Sequence, residues 1–377
     1  MKPFDVLIVG AGVVGCAVAR ECALAGYRVG VIEGATIGNG ATAAGMGHVV
    51  VMDDSPAQLA LTAFSRSLWR RDSGKMPKSI EYETCGTIWV AADDEEMAEV
   101  DARRGIYNEA GIEARALTRA ELAREEPSLR AGLRGGLLVP GDGVVYPPAA
   151  AAFYLAEARR LGAEVFPARV LAASNGQALL SDGVTLTSER IVLAVGTQCD
   201  LLPSLPIQKR KGHLVITDRY PGFVRHQLVE LGYLKSAHKV MEDSVAFNVQ
   251  PRQTGQLLIG SSRQYGQEHS EVEAEVLGRM LDRAAAYLPD IRSLSVLRMW
   301  TGFRAATPDK LPLIGPATGL TCDPTIWLAA GFEGLGITNA PGAAQLLVDG
   351  MLGRPSAIDR TPYLPARMAE PARFAHA

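Results

Sequence analysis

Chemistry is first suggested by Gly10-Ala11-Gly12-Val13-Val14-Gly15, which lies between an apolar run and a helical pattern, and by Glu33 at the end of the next apolar run. In that spacing the first glycine permits a tight turn. The second lets the backbone approach a pyrophosphate, and the third lets helix and strand pack closely, while the helix N-terminus favours the anion. A carboxylate at Glu33 holds ribose hydroxyls and repels a 2′-phosphate, which favours FAD or NAD over NADP. A second glycine-rich block, Gly331-Phe332-Glu333-Gly334-Leu335-Gly336-Ile337-Thr338, follows the strand-like run Ile326 to Ala330 and precedes a helix predicted from Asn339 to Leu352. Strand, glycine turn and helix again make a corner suited to an anion, such as the pyrimidine end of a reduced flavin. The early position of the first block together with this second one selects FAD over NAD.

These residues need elements to hold them. Val6 to Val9 reads as a strand buried on both faces, Val13 to Ala25 as a helix ended by Gly26, and Arg28 to Ile32 as a second strand. Parallel strands joined through a helix imply a doubly wound sheet with a right-handed crossover. Pro147 and Pro148 open a helix over Ala149 to Leu161, and a strand follows from Glu164. Ser55 and Gln58 form a capping box ahead of a packing helix that runs to Gly74. Asp93 to Pro127 is charged and reads as a solvated helical layer, with a Thr118 and Glu121 capping box starting its second piece. From Lys209 to Leu297, apolar strands such as Leu214 to Thr217 and Gln256 to Ile259 alternate with turns before a helix near Val272 to Tyr287. The expected fold is α/β: a Rossmann-like FAD-binding domain with an inserted α+β substrate domain on a mostly antiparallel sheet. We place the FAD-binding domain at 1–78, 145–207 and 298–377, and the substrate domain at 79–144 and 208–297.

Composition narrows the function. The 377 residues are 47% hydrophobic and 21% charged with a net charge of −3, ordinary for a soluble protein and too balanced to collect nucleic acid. The five cysteines (Cys16, Cys22, Cys85, Cys199, Cys322) are scattered and read as small core residues, and six unclustered histidines give no metal pattern. The apolar run from Val6 to Ala19 carries the glycine fingerprint and is too short for a membrane span, so the expected location is the cytoplasm.

With these motifs the chain resembles the glycine oxidase and D-amino-acid oxidase superfamily of FAD-dependent amine oxidoreductases. The resemblance extends to Thr42-Ala43-Ala44-Gly45-Met46, Leu193-Ala194-Val195-Gly196, Trp300-Thr301-Gly302-Phe303-Arg304, Asp309 with Pro312-Leu313-Ile314-Gly315, and Ala340-Pro341. The phrase Gly47 to Pro56 is most similar to the flavin-bearing beta subunit of bacterial D-hydroxyproline dehydrogenases. The resemblance implies that Val13 and Val14 meet the pyrophosphate, Glu33 and Gly34 the ribose, Val170 the adenine, Ala44, Gly45 and Met46 the flavin side, and Phe332 to Thr338 the isoalloxazine. Arg304 matches the arginine that binds the substrate carboxylate, for which a planar fork of donors is well suited. Asn248 falls near a tyrosine that relatives turn toward the substrate. His48 is a further candidate at the site, though it and His213 also fit as packing residues. Relatives often have Gly-His where Gly331-Phe332 stands, and glycine oxidases have arginine in place of Gly334. The sarcosine oxidase branch attaches its flavin to a cysteine near Arg304, and no cysteine lies between Cys199 and Cys322, so the FAD is expected to be noncovalent.

The implied reaction takes the Cα hydrogen of a small amino or imino acid as hydride and leaves an imine, with positioning as the protein's main task. The implied partners are small redox subunits that pass electrons onward, with attachment to the inner face of the cytoplasmic membrane through them. Rival readings are a glycine or sarcosine oxidase using dioxygen, and a flavoprotein subunit kept for assembly. An NAD-linked reductase would need a second nucleotide fingerprint, and none is visible.

Overall fold

The structure, a computed structural model, describes residues 3–232 and 243–369. It divides into two units: Met1–Ile80 with Tyr146–Lys209 and Phe303–Ala377, and Glu81–Val145 with Arg210–Gly302.

In the first unit the apolar run Phe4–Val9 forms a central strand with Val29–Ile32 and Thr185–Leu193 on either side, both parallel to it. The sheet continues in parallel to Glu164–Phe166 on one flank and Ile326–Ala330 on the other, and Leu313–Pro316 closes it antiparallel. Val6, Leu7 and Ile8 are completely buried, the pattern of a strand covered on both faces. Helix Val13–Leu24 links the first two strands, and the helices Pro147–Arg160 and Gly336–Met351 pack against it. Small buried residues occur on all three helices, Ala17 and Ala19 on the first, Ala151 on the second and Ala340 and Ala344 on the third, which suits a close approach.

Local signals set several ends. Pro147 starts its helix in the first turn, where its missing N–H costs nothing. Ser55 accepts a hydrogen bond from Gln58 N–H at 3.1 Å, but the Gln58 side chain accepts from Asp54 N–H at 3.2 Å, so the reciprocal half of the predicted box falls one residue early. The late helix begins at Gly336, three residues before the predicted start.

The second unit is built on a sheet of strands in the order Val296–Ala306, Gln208–Arg219, Gln256–Tyr265, Ser244–Pro251, Gln227–Glu230, Thr87–Ala91, Gly135–Val139 and Arg115–Thr118. Gln227–Glu230 and Thr87–Ala91 pair in parallel, whereas the pairings of Ser244–Pro251 and Gly135–Val139 with their neighbours are antiparallel. Ile88, Val90, Phe247, Val249, Leu257 and Ile259 share a core with Met280 and Ala284 of the helix Ala274–Tyr287, and Phe247 stacks on Tyr287 at 4.4 Å. The charged stretch Asp93 to Pro127 differs from its helical expectation. Helices Asp94–Glu109 and Arg119–Glu125 flank a strand, Arg115–Thr118, which adds to the sheet edge because Leu117 is buried in the core. Glu96, Val100 and Tyr107 are likewise buried, so the first of these helices is partly core. The Thr118 and Glu121 capping box is present in full.

Candidate functional site

The glycine loop leaves the central strand with Gly10 at φ +102°, a left-handed turn that only glycine adopts without strain. A Cβ on Gly15 would collide with Gly10's carbonyl oxygen, so loop and helix can meet only without that side chain. Gly12 precedes the first helical residue, Val13, and no side chain caps the helix through it. Thr42, in the short helix Ala41–Ala44, accepts the Val13 N–H at 3.0 Å. Glu33 accepts from Ala11 N–H at 2.7 Å and from Ala35 N–H at 2.8 Å, which fixes the carboxylate against the loop. A Cβ on Gly34 would lie 3.1 Å from the Arg169 backbone, so Val170, the first residue of the strand Val170–Ser174, begins beside the Glu33 turn. Gly196, at φ +60°, follows Ala194, whose backbone lies against Gly10.

The second glycine block meets the same region. Val14 reaches to within 3.9 Å of the Cβ position of Gly336, and a Cβ on Gly45 would press on Ile337 at 2.7 Å. Thr338 donates its hydroxyl to His48 O at 2.9 Å and accepts from Val50 N–H at 3.3 Å, while Trp69 Nε1 donates to Thr338 O at 3.0 Å. The segment carrying Ala44, Gly45, Met46 and His48 is therefore anchored to the start of helix Gly336–Met351. Leu335 N–H donates to Phe332 O at 2.9 Å, closing the turn before that helix. Glu333 N–H donates to Ala305 O at 2.8 Å, and a Cβ on Gly334 would stand 3.6 Å from Arg304 Cδ and Nε, which places Arg304 alongside this turn.

A model of the family "FAD dependent oxidoreductase" (DAO) matches residues 5–350. The chain belongs to the DAO family of FAD-dependent oxidoreductases. It is 29% identical to the glycine oxidase of Geobacillus kaustophilus over 96% of each chain, and the crystal structure of a glycine oxidase from that organism superposes with a TM-score of 0.85 over 97% of this chain and 99% of the other at 27% identity. The glycine oxidase of Pseudomonas aeruginosa is 28% identical over 96% of this chain and 98% of its own. The fold is shared with an L-proline dehydrogenase from P. horikoshii, with TM-score 0.87 and 22% identity over 97% of this chain and 98% of that one.

This DAO-family protein is an FAD-dependent oxidoreductase, and its residues fit the cofactor. Beyond the Val13 N–H, which Thr42 takes, the helix start after Gly12 presents further backbone donors to a pyrophosphate, and Glu33 spends two of its roughly four acceptor positions on the protein, leaving the rest for ribose hydroxyls. The dipole of the 16-residue helix Gly336–Met351 presents its positive end at Ile337 and Thr338.

Within the first unit the structure gathers the glycine loop, Glu33, Ala44 to His48, Arg304 and the Phe332 to Thr338 turn. Asn248 lies in the second unit, on the strand Ser244–Pro251 opposite Gly260. Its neighbours Phe247 and Val249 face the core, so alternation turns Asn248 and Gln250 to the other face of the sheet. His213, also in the second unit, is fully buried, accepts from Glu273 N–H at 3.0 Å through Nε2 and meets Ser262 Oγ through Nδ1 at 3.0 Å. Burial, then the Lys211 ammonium, lowers its pKa. Cys16 and Cys22 are buried, and that burial pushes both thiols up to about 12, so they are inert packing groups. Cys322 departs from the core expectation, being exposed, and Cys85 and Cys199 are half-buried. Among the described residues no group of three acidic, histidine or cysteine side chains is arranged for a metal ion. Sequence reasoning missed Thr42 as the cap of the fingerprint helix and Trp69 as an anchor of Thr338; both partnerships span long separations and carry no local signal.

Proposed function

We propose that this protein is an FAD-dependent dehydrogenase of a small D-amino or D-imino acid, with D-hydroxyproline or D-proline as its preferred substrate. The observation that carries this reading is Gly334 beside Arg304. It has no side chain where the glycine oxidases of the resemblance have an arginine, and a smaller residue at that position supports a cyclic substrate. The Gly47 to Pro56 phrase supports the same substrate class.

Bound FAD supplies a two-electron acceptor for the Cα hydride. Arg304 clamps the substrate carboxylate through its planar fork of donors and so fixes which hydrogen of Cα faces the ring. The start of helix Gly336–Met351 stabilises negative charge, and buried Met46 and Phe332 exclude water beside it. In this reading the first unit binds FAD, and the second carries substrate residues, Asn248 among them. Electrons pass to partner redox subunits in the cytoplasm or at the inner face of the membrane. No helix among the described residues is long and apolar enough to cross a membrane.

A second reading, a glycine oxidase using dioxygen, is favoured by the names of the curated relatives. The test is a comparison of D-hydroxyproline, D-proline, glycine and sarcosine with an artificial dye and with dioxygen. Dye reduction should be fastest with the cyclic D-imino acids and oxygen uptake slow. Preferred oxidation of glycine with stoichiometric peroxide would establish the oxidase instead.

A further inference from the structure

We propose that residues 266–273 form a latch that stays against the second unit's sheet only while His213 carries no charge, and that the latch opens in weak acid. The segment joins the strand Gln256–Tyr265 to the helix Ala274–Tyr287, and no residue in it is buried. Polar contacts hold it down. Lys211, fully buried, donates to Glu273 Oε1 at 2.6 Å and to His269 Nδ1 at 3.3 Å, Gln264 Nε2 donates to Glu273 Oε2 at 2.9 Å, and Thr301 Oγ1 donates to Ser270 O at 2.5 Å. A further tie is the Glu273 N–H, which donates to His213 Nε2 at 3.0 Å.

That contact fixes the charge of the ring. A ring nitrogen that accepts an N–H carries no proton, so the proton of neutral His213 is on Nδ1, which meets Ser262 Oγ at 3.0 Å. A second proton would turn Nε2 into a donor facing the donor of Glu273 on a fully buried side chain, and neither would have its acceptor. The surroundings work in the same direction. Burial and then Lys211, on the same strand, push the His213 pKa below the ordinary histidine range, His269 adds to this, and only the Glu273 carboxylate opposes it. On the adjoining strand the ring meets Ser262, and alternation turns Arg263 to the other face. Arg298, on the strand Val296–Ala306, stacks on Trp300 at 5.4 Å, and Glu275 in the first turn of the helix is exposed. Gln264 also donates to Asp243 at 3.1 Å. Glu273 stays ionised in weak acid, because the hydrogen bond from Lys211, then that from Gln264, holds its carboxyl below the ordinary carboxylate range. Met280 and Ala284 keep the helix on the core, so opening is confined to the segment and the first helical turn.

Opening to water returns His213 to its ordinary pKa of about 6.5, so each pH unit below that favours the open latch about tenfold until the folded ring itself takes the proton. The test is hydrogen–deuterium exchange of the FAD-loaded protein, read by mass spectrometry on a peptide covering 266–276 at pH 7.5, 6.5 and 5.5, with rates corrected for the intrinsic pH dependence of amide exchange. Corrected exchange should rise roughly fivefold to tenfold from pH 7.5 to 5.5, while peptides from Gly135–Val139 and Val13–Leu24 stay unchanged. His213→Gln offers the Glu273 N–H an acceptor that stays neutral, and should abolish the rise. His213→Ala removes the acceptor, should exchange fast at every pH, and serves where the glutamine variant does not fold. His269→Gln should keep most of the rise. A flat profile for the wild type, a rise that survives in the His213 variants, or one that His269→Gln abolishes overturns the proposal. So does an equal loss of protection in the two reference peptides, since the latch would then be opening only as the whole protein unfolds.

Discussion

Thr338→Val tests whether the start of the late helix is held by one hydroxyl. The substitution preserves shape, since a methyl replaces the hydroxyl of a side chain that is 1% exposed. It removes the donor to His48 O at 2.9 Å and the acceptor of Val50 N–H at 3.3 Å. Leaving a buried polar partner behind costs about 1–3 kcal/mol for each bond. The longer contact to Val50 is the weaker of the two, so the expected total is about 2–4 kcal/mol. For a folding unit of this size that corresponds to a fall in Tm of roughly 5–10 °C. Flavin fluorescence during a thermal ramp reports the first unit's transition, because released FAD fluoresces. Thr338→Ser keeps both hydrogen bonds and should recover most of the loss, which separates the hydroxyl's contribution from the methyl's. FAD should also dissociate more readily from the valine variant, since the segment of Ala44 to His48 loses one tie to Thr338. A valine variant melting within about 1 °C of wild type would show that this hydroxyl does not anchor the helix.

Three further outcomes are expected. Arg304→Leu should lower kcat/KM roughly a hundredfold or more with FAD content and Tm nearly unchanged, and Arg304→Lys should recover only part; near-normal turnover of a carboxylate substrate by the leucine variant would remove Arg304 from the site. Acid precipitation should release the flavin into the supernatant, and Glu33→Lys should weaken FAD binding by about 1–3 kcal/mol in a titration of apoprotein, whereas yellow precipitate would mean a covalent bond. His213 is held neutral in the fold by burial and by Lys211, so the unfolded chain takes up its proton at a higher pH than the folded one does. Its contribution should leave stability flat above the ordinary histidine range and reduce it as pH falls through that range, levelling once the folded pKa is passed. Denaturant unfolding of wild type and His213→Gln across pH 5–8 measures this, and parallel pH profiles for the two would remove His213 as the cause.

The parts of the site that were legible in the sequence are those whose partners are near in the chain or belong to a fixed spacing. Gly10 to Gly15 occupy one turn between strand and helix, so their spacing in sequence is their spacing in space, and Glu33 closes the same β-α-β unit. The strand Ile326–Ala330 was visible for the same reason: a short apolar run followed by a glycine turn leaves few alternatives. The start of the following helix was not. Gly336 is a poor helix former by intrinsic propensity, and placing it in the first turn depends on Ile337 meeting Gly45 and Thr338 bonding His48, contacts made far along the chain. The strand Arg115–Thr118 was hidden by a different effect. Four residues at a sheet edge are too few to show a period of two, and the neighbouring charges dominate the pattern until the pairing of Leu117 with Gly136 supplies the missing side. Trp69 makes the limit plainest. Its helix, Pro56–Asp72, has the capped start and apolar spacing of a packing element, and it does pack. Yet the indole N–H also reaches Thr338 across 269 residues, so a residue that composition and periodicity assign to the core helps to position the helix start at the site. Periodicity tells which way a side chain faces; it carries no record of which distant backbone oxygen waits there.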